Sequence, residues 1–93
     1  MSDRTTIRAR VTGRVQGVSF RAWAQGEAQA LGLDGWVRNE PDGAVTAVIS
    51  GPAERVARML EALKAGPRAA RVASVETAEA RGEEVVPGFR VTF

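Results

Sequence analysis

The chain has no cysteine and no histidine. Without cysteine there is no disulfide, no thiolate nucleophile and no thiolate metal site. Without histidine the commonest general base and the commonest metal ligand are missing as well. Tyrosine is absent, and Lys64 is the one lysine. Almost nothing therefore loses a proton between an α-amino group near ~8 and the arginines above ~12. The pI of about 10.4 follows from that gap, because the formal net charge is only +2. Long apolar runs are also lacking, and none approaches the ~18 residues that a membrane span needs. The opening Met1-Ser2-Asp3-Arg4-Thr5-Thr6 is polar and has no signal-peptide core. The expectation is a cytoplasmic protein with no membrane partner.

What is present suffices for one core. With 44% hydrophobic residues in 93, the chain reads as one folded domain over 1–93, with 1–5 as a flexible lead. A domain of this size buries only ~60–65% of its unfolded surface, so the expected core is lean. Basic residues gather early, at Arg4, Arg8, Arg10, Arg14 and Arg21. Such a cluster suits RNA or a small anion.

Ile7, Ala9 and Val11 alternate with Arg8, Arg10 and Thr12, which predicts a half-buried strand over 7–12 with an arginine-rich outer face. Phe20, Ala24, Ala28 and Leu31 then form one face of a helix, with Trp23 beside it and Gly32 as a C-terminal stop. Residues 35–39 and 44–50 read as a hairpin, joined by Glu40-Pro41-Asp42-Gly43, with Gly51-Pro52 as a break. Val56, Met59, Leu60 and Leu63 mark a second helix, stopped by Gly66-Pro67. Residues 72–79 predict a fourth strand with poorer alternation, and Phe89, Val91 and Phe93 a short last one. Trp23 and Trp36 are expected in the core or at its edge. The order β-α-β-β-α-β with a terminal strand predicts a ferredoxin-like α+β sandwich, with two helices on one face of an antiparallel or mixed sheet.

The run Gly13-Arg14-Val15-Gln16-Gly17-Val18-Ser19-Phe20-Arg21 joins the first strand to the first helix. It is neither the nucleotide P-loop nor the dinucleotide fingerprint. It reads either as an ordinary strand-to-helix turn or as an anion cradle, in which backbone N–H groups and the helix N-terminus converge on phosphate oxygens. Arg21 is either a solvated arginine or a fork of donors to that anion. A cation at a helix N-terminus is unfavourable unless an anion relieves it. Gln16 suits a ligand contact or a loop-stabilising hydrogen bond. Asn39 suits a turn, and Asp42 is explained by the Asp-Gly hairpin.

Two segments together carry a resemblance. The run from Gly13 to Arg21 and the run Gly35-Trp36-Val37-Arg38-Asn39-Glu40-Pro41-Asp42-Gly43 resemble the two signature segments of the acylphosphatase family. The intervening Ala28-Gln29-Ala30-Leu31-Gly32-Leu33 is similar to that family too, so the resemblance covers nearly the whole chain. It implies hydrolysis of acyl phosphates to a carboxylate and inorganic phosphate. By the resemblance, Arg21 is the catalytic arginine and binds the phosphoryl group with Arg14, Val15, Gln16, Gly17 and Val18. Asn39 is the asparagine that orients the attacking water. Ser19 departs mildly from the family, where an aromatic residue, glycine or cysteine is frequent.

That chemistry needs neither histidine nor metal. The leaving carboxylate has a conjugate acid of pKa ~4, so a general acid is scarcely required. Phosphoryl transfer passes through a loose transition state, and the protein must hold equatorial oxygens and place a water in line. The expected partners are an acyl phosphate substrate and phosphate or sulfate as inhibitors, with no metal, no cofactor and no nucleic acid, and the expected state is a monomer. The short polar lead and the final strand at the chain's end favour a free-standing protein over a piece of a larger carbamoyl-transferring one. The competing readings are a ferredoxin-like RNA-binding module and a regulatory domain without turnover. The first is disfavoured because the outward residues Arg8, Arg10 and Thr12 include no aromatic for base stacking.

Overall fold

Five strands and two helices alternate along residues 3–93, the part of the chain that the computed structural model describes. They are β1 (Arg4–Arg14), α1 (Phe20–Ala30), β2 (Asp34–Asn39), β3 (Val45–Pro52), α2 (Ala53–Ala65), β4 (Arg71–Glu79) and β5 (Phe89–Thr92). The sheet order is β4-β1-β3-β2-β5, antiparallel except for the parallel pair β2–β5. This is the expected ferredoxin-like α+β sandwich with a mixed sheet.

The helical periodicity and the strand alternation meet in one core. α1 buries Phe20, Ala24 and Ala28, and α2 buries Val56, Met59 and Leu63. Both pack on Ala9 and Val11 of β1, Val37 of β2 and Val45, Ala47 and Ile49 of β3. Small alanines on α1 let that helix lie close to the sheet. Trp23 stays partly buried at the edge, its ring 5.3 Å from that of Phe20 in an edge-to-face contact.

Several boundaries differ from the sequence reading. β1 begins at Arg4, where Arg4 pairs with Pro52 and Thr5 with Gly51. Arg4 and Thr5 therefore belong to the sheet rather than to a flexible lead; Met1 and Ser2 of that lead lie outside the described residues. For the same reason Gly51-Pro52 does not end β3 early: the strand continues through both and passes directly into α2. The poor alternation of β4 has a local cause. Thr12 pairs with Ser74 but Gly13 pairs with Val72, so Ala73 is an extra residue on β4. One inserted residue reverses the parity of the strand, which lets Val72 and Val75 both pack against the core. Gly13 is required at this bulge: it has φ 119, and a Cβ there would lie 2.2 Å from the Arg71 carbonyl oxygen.

Trp36 corrects a further expectation. It is not in the core but on the opposite face of the sheet, in register with Val48 of β3 and, through it, Arg8 of β1. The guanidiniums of Arg38 and Arg8 lie 4.8 Å and 5.9 Å from its ring centre. Arg8 pairs with Glu83 at 2.6 Å, Arg38 with Glu40 at 3.0 Å, and Arg10 with Asp42. These long side chains roof over Thr46 and Val48, which are buried although they face away from the helices. The outer face thus has an aromatic that β1 alone does not offer, but two guanidiniums already flank it and their charges are locally balanced.

Candidate active site

The loop between β1 and α1 is pinned at both ends. Val15 and Phe20 are buried in the core, while Gly17 and Ser19 between them are exposed. Gly17 has φ 74 with nothing near the position of a Cβ, so backbone conformation rather than space demands glycine there. Ser19 has φ 61 and ψ 26, and is the one non-glycine residue of positive φ among the described residues. Left-handed backbone in a serine is costly and tends to persist where a site needs it. Ser19 is also the N-cap of α1, yet its side chain makes no capping hydrogen bond, and the first turn has no acidic residue. Among the described residues, neither the cap nor the first turn sets an anion against the positive end of the helix.

Arg21 stands in that first turn. Its Nη1 donates to the carbonyl oxygen of Thr92 at 3.1 Å, and its guanidinium lies 4.8 Å from the centre of the Phe93 ring. One donor of the fork is thus engaged by the end of β5, and the rest of the fork has no partner among the described residues. Gln16 takes the second of its two sequence readings. Its Nε2 donates to the carbonyl oxygens of Glu40 and Ala44, both at 2.8 Å.

Asn39 ends β2, paired with Val45. It is not the turn former. The turn is made by Gly43 N–H to the Glu40 carbonyl, by Glu40 N–H to the Ala44 carbonyl, and by Ala44 N–H to Oδ1 of Asp42. The Asn39 amide has no hydrogen-bond partner among the described residues.

These parts converge on a cleft of about 340 Å³. Val15, Gln16, Gly17 and Ser19 line it from the loop, Phe20, Arg21 and Ala22 from α1, Asn39 from β2 and Val91 from β5. Two expected cradle residues are not part of this lining. Arg14 is the exposed last residue of β1, and the Val18 side chain packs against the core. In the other direction, the sequence reading missed Val91, Thr92 and Phe93. Phe93 was legible only as a strand residue, and no local pattern links it to Arg21.

Two carboxylates of the hairpin follow Asn39 in the chain, outside the cleft lining. The Asp42 carboxyl is held below its ordinary range by its hydrogen bond with Arg10 and by the Ala44 N–H. Glu40 is likewise lowered, first by the Thr46 hydroxyl and then by Arg38. No group of three or more carboxylates is placed to hold a metal ion among the described residues. The donor set is guanidinium, amide and backbone N–H. It suits a small oxyanion with a water beside it.

A family model described as Acylphosphatase matches residues 7–91. The chain belongs to the acylphosphatase family. An acylphosphatase of Rhizobium meliloti (strain 1021) is 56% identical over 90 residues, which covers 97% of this chain and 95% of that one. The crystal structure of the acylphosphatase from Bacillus subtilis superposes with a TM-score of 0.90 at 36% identity, over 95% of this chain and 98% of the other. An acylphosphatase from Coxiella burnetii gives a TM-score of 0.91 at 37% identity, over 97% and 94%. These acylphosphatases match nearly end to end, so the family assignment covers the loop, the hairpin and the last strand together.

Proposed function

We propose that the chain hydrolyses the carboxyl–phosphate bond of acyl phosphates, with Arg21 and the loop amides holding the phosphoryl group and Asn39 holding the attacking water. The single observation that carries this division of roles is that Arg21, with all but one donor of its guanidinium fork uncommitted, and Asn39, with an uncommitted amide, line one cleft. Membership of the acylphosphatase family supports the substrate class.

In this reading the N–H groups of Val15, Gln16, Gly17 and Val18 and the start of α1 receive the phosphoryl oxygens. Arg14 adds positive charge at the mouth of the loop. Arg21 adds donors that neutralise charge as the bond to the leaving oxygen stretches. The Asn39 amide oxygen accepts a hydrogen bond from the water and aligns it with phosphorus. An amide is too weak a base to remove the proton, so the proton passes to a phosphoryl oxygen. The bond from water oxygen to phosphorus forms, the bond from phosphorus to the acyl oxygen breaks, and the carboxylate leaves with the electron pair. Carboxylate and dihydrogen phosphate together balance the dianionic acyl phosphate and water.

A donor set of guanidinium and amides supports catalysis without a metal. It also supports inhibition by inorganic phosphate and sulfate, which present the same oxygens to the cradle. Val86 and Phe93 are the exposed large hydrophobic residues among those described, and so small an apolar surface supports a monomer. Acyl phosphates are anions that membranes retain, which supports a cytoplasmic location. The test is hydrolysis of a synthetic acyl phosphate with a strong chelator present. Turnover unaffected by the chelator is expected. Turnover lost on chelation and restored by Mg²⁺ would overturn the metal-free mechanism.

A further inference from the structure

One side chain joins the loop to the hairpin by hydrogen bonds. Gln16 Nε2 spends both of its hydrogens on the hairpin, one on the Glu40 carbonyl and one on the Ala44 carbonyl, each at 2.8 Å. These carbonyls are also the acceptors that close the turn, from Gly43 N–H at 3.2 Å and Glu40 N–H at 2.8 Å. Each carbonyl oxygen therefore accepts two hydrogen bonds and is filled. Among the described residues, no other hydrogen bond joins loop residues 15–19 to hairpin residues 39–44. The clamp is part-buried, and Glu40 directly follows Asn39.

From this geometry we infer that Gln16 is a positioning residue, which sets the separation between the phosphate cradle and the water held by Asn39; the inference rests on the function proposed above. The cradle and Asn39 sit on different elements, the loop before α1 and the end of β2. In-line attack needs the water within about 3–3.5 Å of phosphorus, and a misplacement of about 1 Å costs on the order of 10²-fold in rate. The Gln16 backbone N–H stays in the cradle whatever its side chain is. Its side chain is the link that carries the cradle's position to Asn39. Loss of the clamp should then harm the chemical step and spare the affinity for phosphate.

Gln16→Met tests this, because methionine has similar length and no donor. Three quantities are read: kcat on a synthetic acyl phosphate, the inhibition constant of inorganic phosphate, and the kcat change when the substitution is made on an Asn39→Ala background. The expected result is a kcat lower by about 10–100-fold, with the phosphate constant altered by less than about threefold. On the Asn39→Ala background the same substitution should cost less than about threefold, since no held water remains to be misplaced. A kcat within about twofold of the unaltered chain would overturn the inference, as would equal losses in kcat and phosphate affinity or the full kcat loss on the Asn39→Ala background. If Gln16→Met does not fold, Gln16→Asn is measured in its place, because it withdraws the donors by one methylene; the same outcomes decide. Failure of the unaltered chain to hydrolyse acyl phosphate would instead overturn the proposed function, so the two failures are distinct.

Discussion

The Arg21 guanidinium lies 4.8 Å from the centre of the Phe93 ring, and that ring is 98% exposed. A large aromatic side chain in water gains little by burial there, so its contact with Arg21 is its main interaction. The carbonyl of the preceding Thr92 accepts from the same guanidinium at 3.1 Å. The end of β5 thus holds Arg21 by two contacts, while the parallel pairing of β5 with β2 ties that end to the strand of Asn39.

An exposed cation–π contact is worth about 0.5–1 kcal/mol. Phe93→Ala should therefore lower kcat/KM by about 2–5-fold through looser orientation of Arg21. Phe93→Trp should restore the value, because the contact needs a ring face and not phenylalanine itself. Steady-state kinetics on one acyl phosphate checks both. Equal kcat/KM in all three proteins would show that the Thr92 carbonyl alone orients Arg21.

Ser19 is held in the left-handed region, which costs an L-residue roughly 1–2 kcal/mol. Glycine removes that cost but adds about 0.4–1 kcal/mol of unfolded-state entropy. Ser19→Gly should accordingly stabilise the chain by about 0.5–1 kcal/mol, a rise of a few degrees in Tm. Ser19→Val should lower Tm, since a β-branched residue tolerates this backbone least. Thermal denaturation of the three proteins provides the measurement, and a lower Tm for Ser19→Gly contradicts the account of the loop.

Acid should destabilise the fold through the hairpin. Asp42 is lowered by Arg10 first and Glu40 by Thr46 first, so both bind protons less readily folded than unfolded. The linked stability is present above the ordinary carboxylate pKa of about 4 and is lost as pH falls through the folded values below it. The raised Arg10 guanidinium has the opposite sign, and its share is lost only in strong alkali. Tm should be nearly flat from pH 8 to 5 and fall below about pH 4. Asp42→Asn should lower Tm at pH 7, with the gap to the unaltered chain narrowing by about pH 2. A gap of equal size at both pH values would contradict the role given to the Arg10–Asp42 pair.

Much of this was legible in the sequence because it is local. The alternation of Ile7, Ala9 and Val11, the helical faces led by Phe20 and Val56, and the Asp42-Gly43 turn each follow from neighbours in the chain. The parity reversal at Ala73 was not legible, since a bulge depends on the partner strand. Trp36 was misplaced because a large apolar residue defaults to the core, whereas here two arginines on the outer face give it an alternative. The site divides in the same way. Arg21, Gly17 and Asn39 stand in recognisable runs, but the hold of Thr92 and Phe93 on Arg21 joins distant parts of the chain, Thr92 lying 71 positions from Arg21. The Gln16 clamp was visible only as one of two uses for an amide.

In the proposed reaction Arg21 and Asn39 serve one phosphoryl group with different tasks. Measuring kcat together with the inhibition constant of inorganic phosphate, in Asn39→Ala and in Arg21→Gln, tests it most directly. The account predicts that Asn39→Ala loses about 10²–10³-fold in kcat while phosphate affinity changes by less than about threefold, and that Arg21→Gln loses both turnover and phosphate affinity. Phosphate affinity falling equally in the two variants would contradict it.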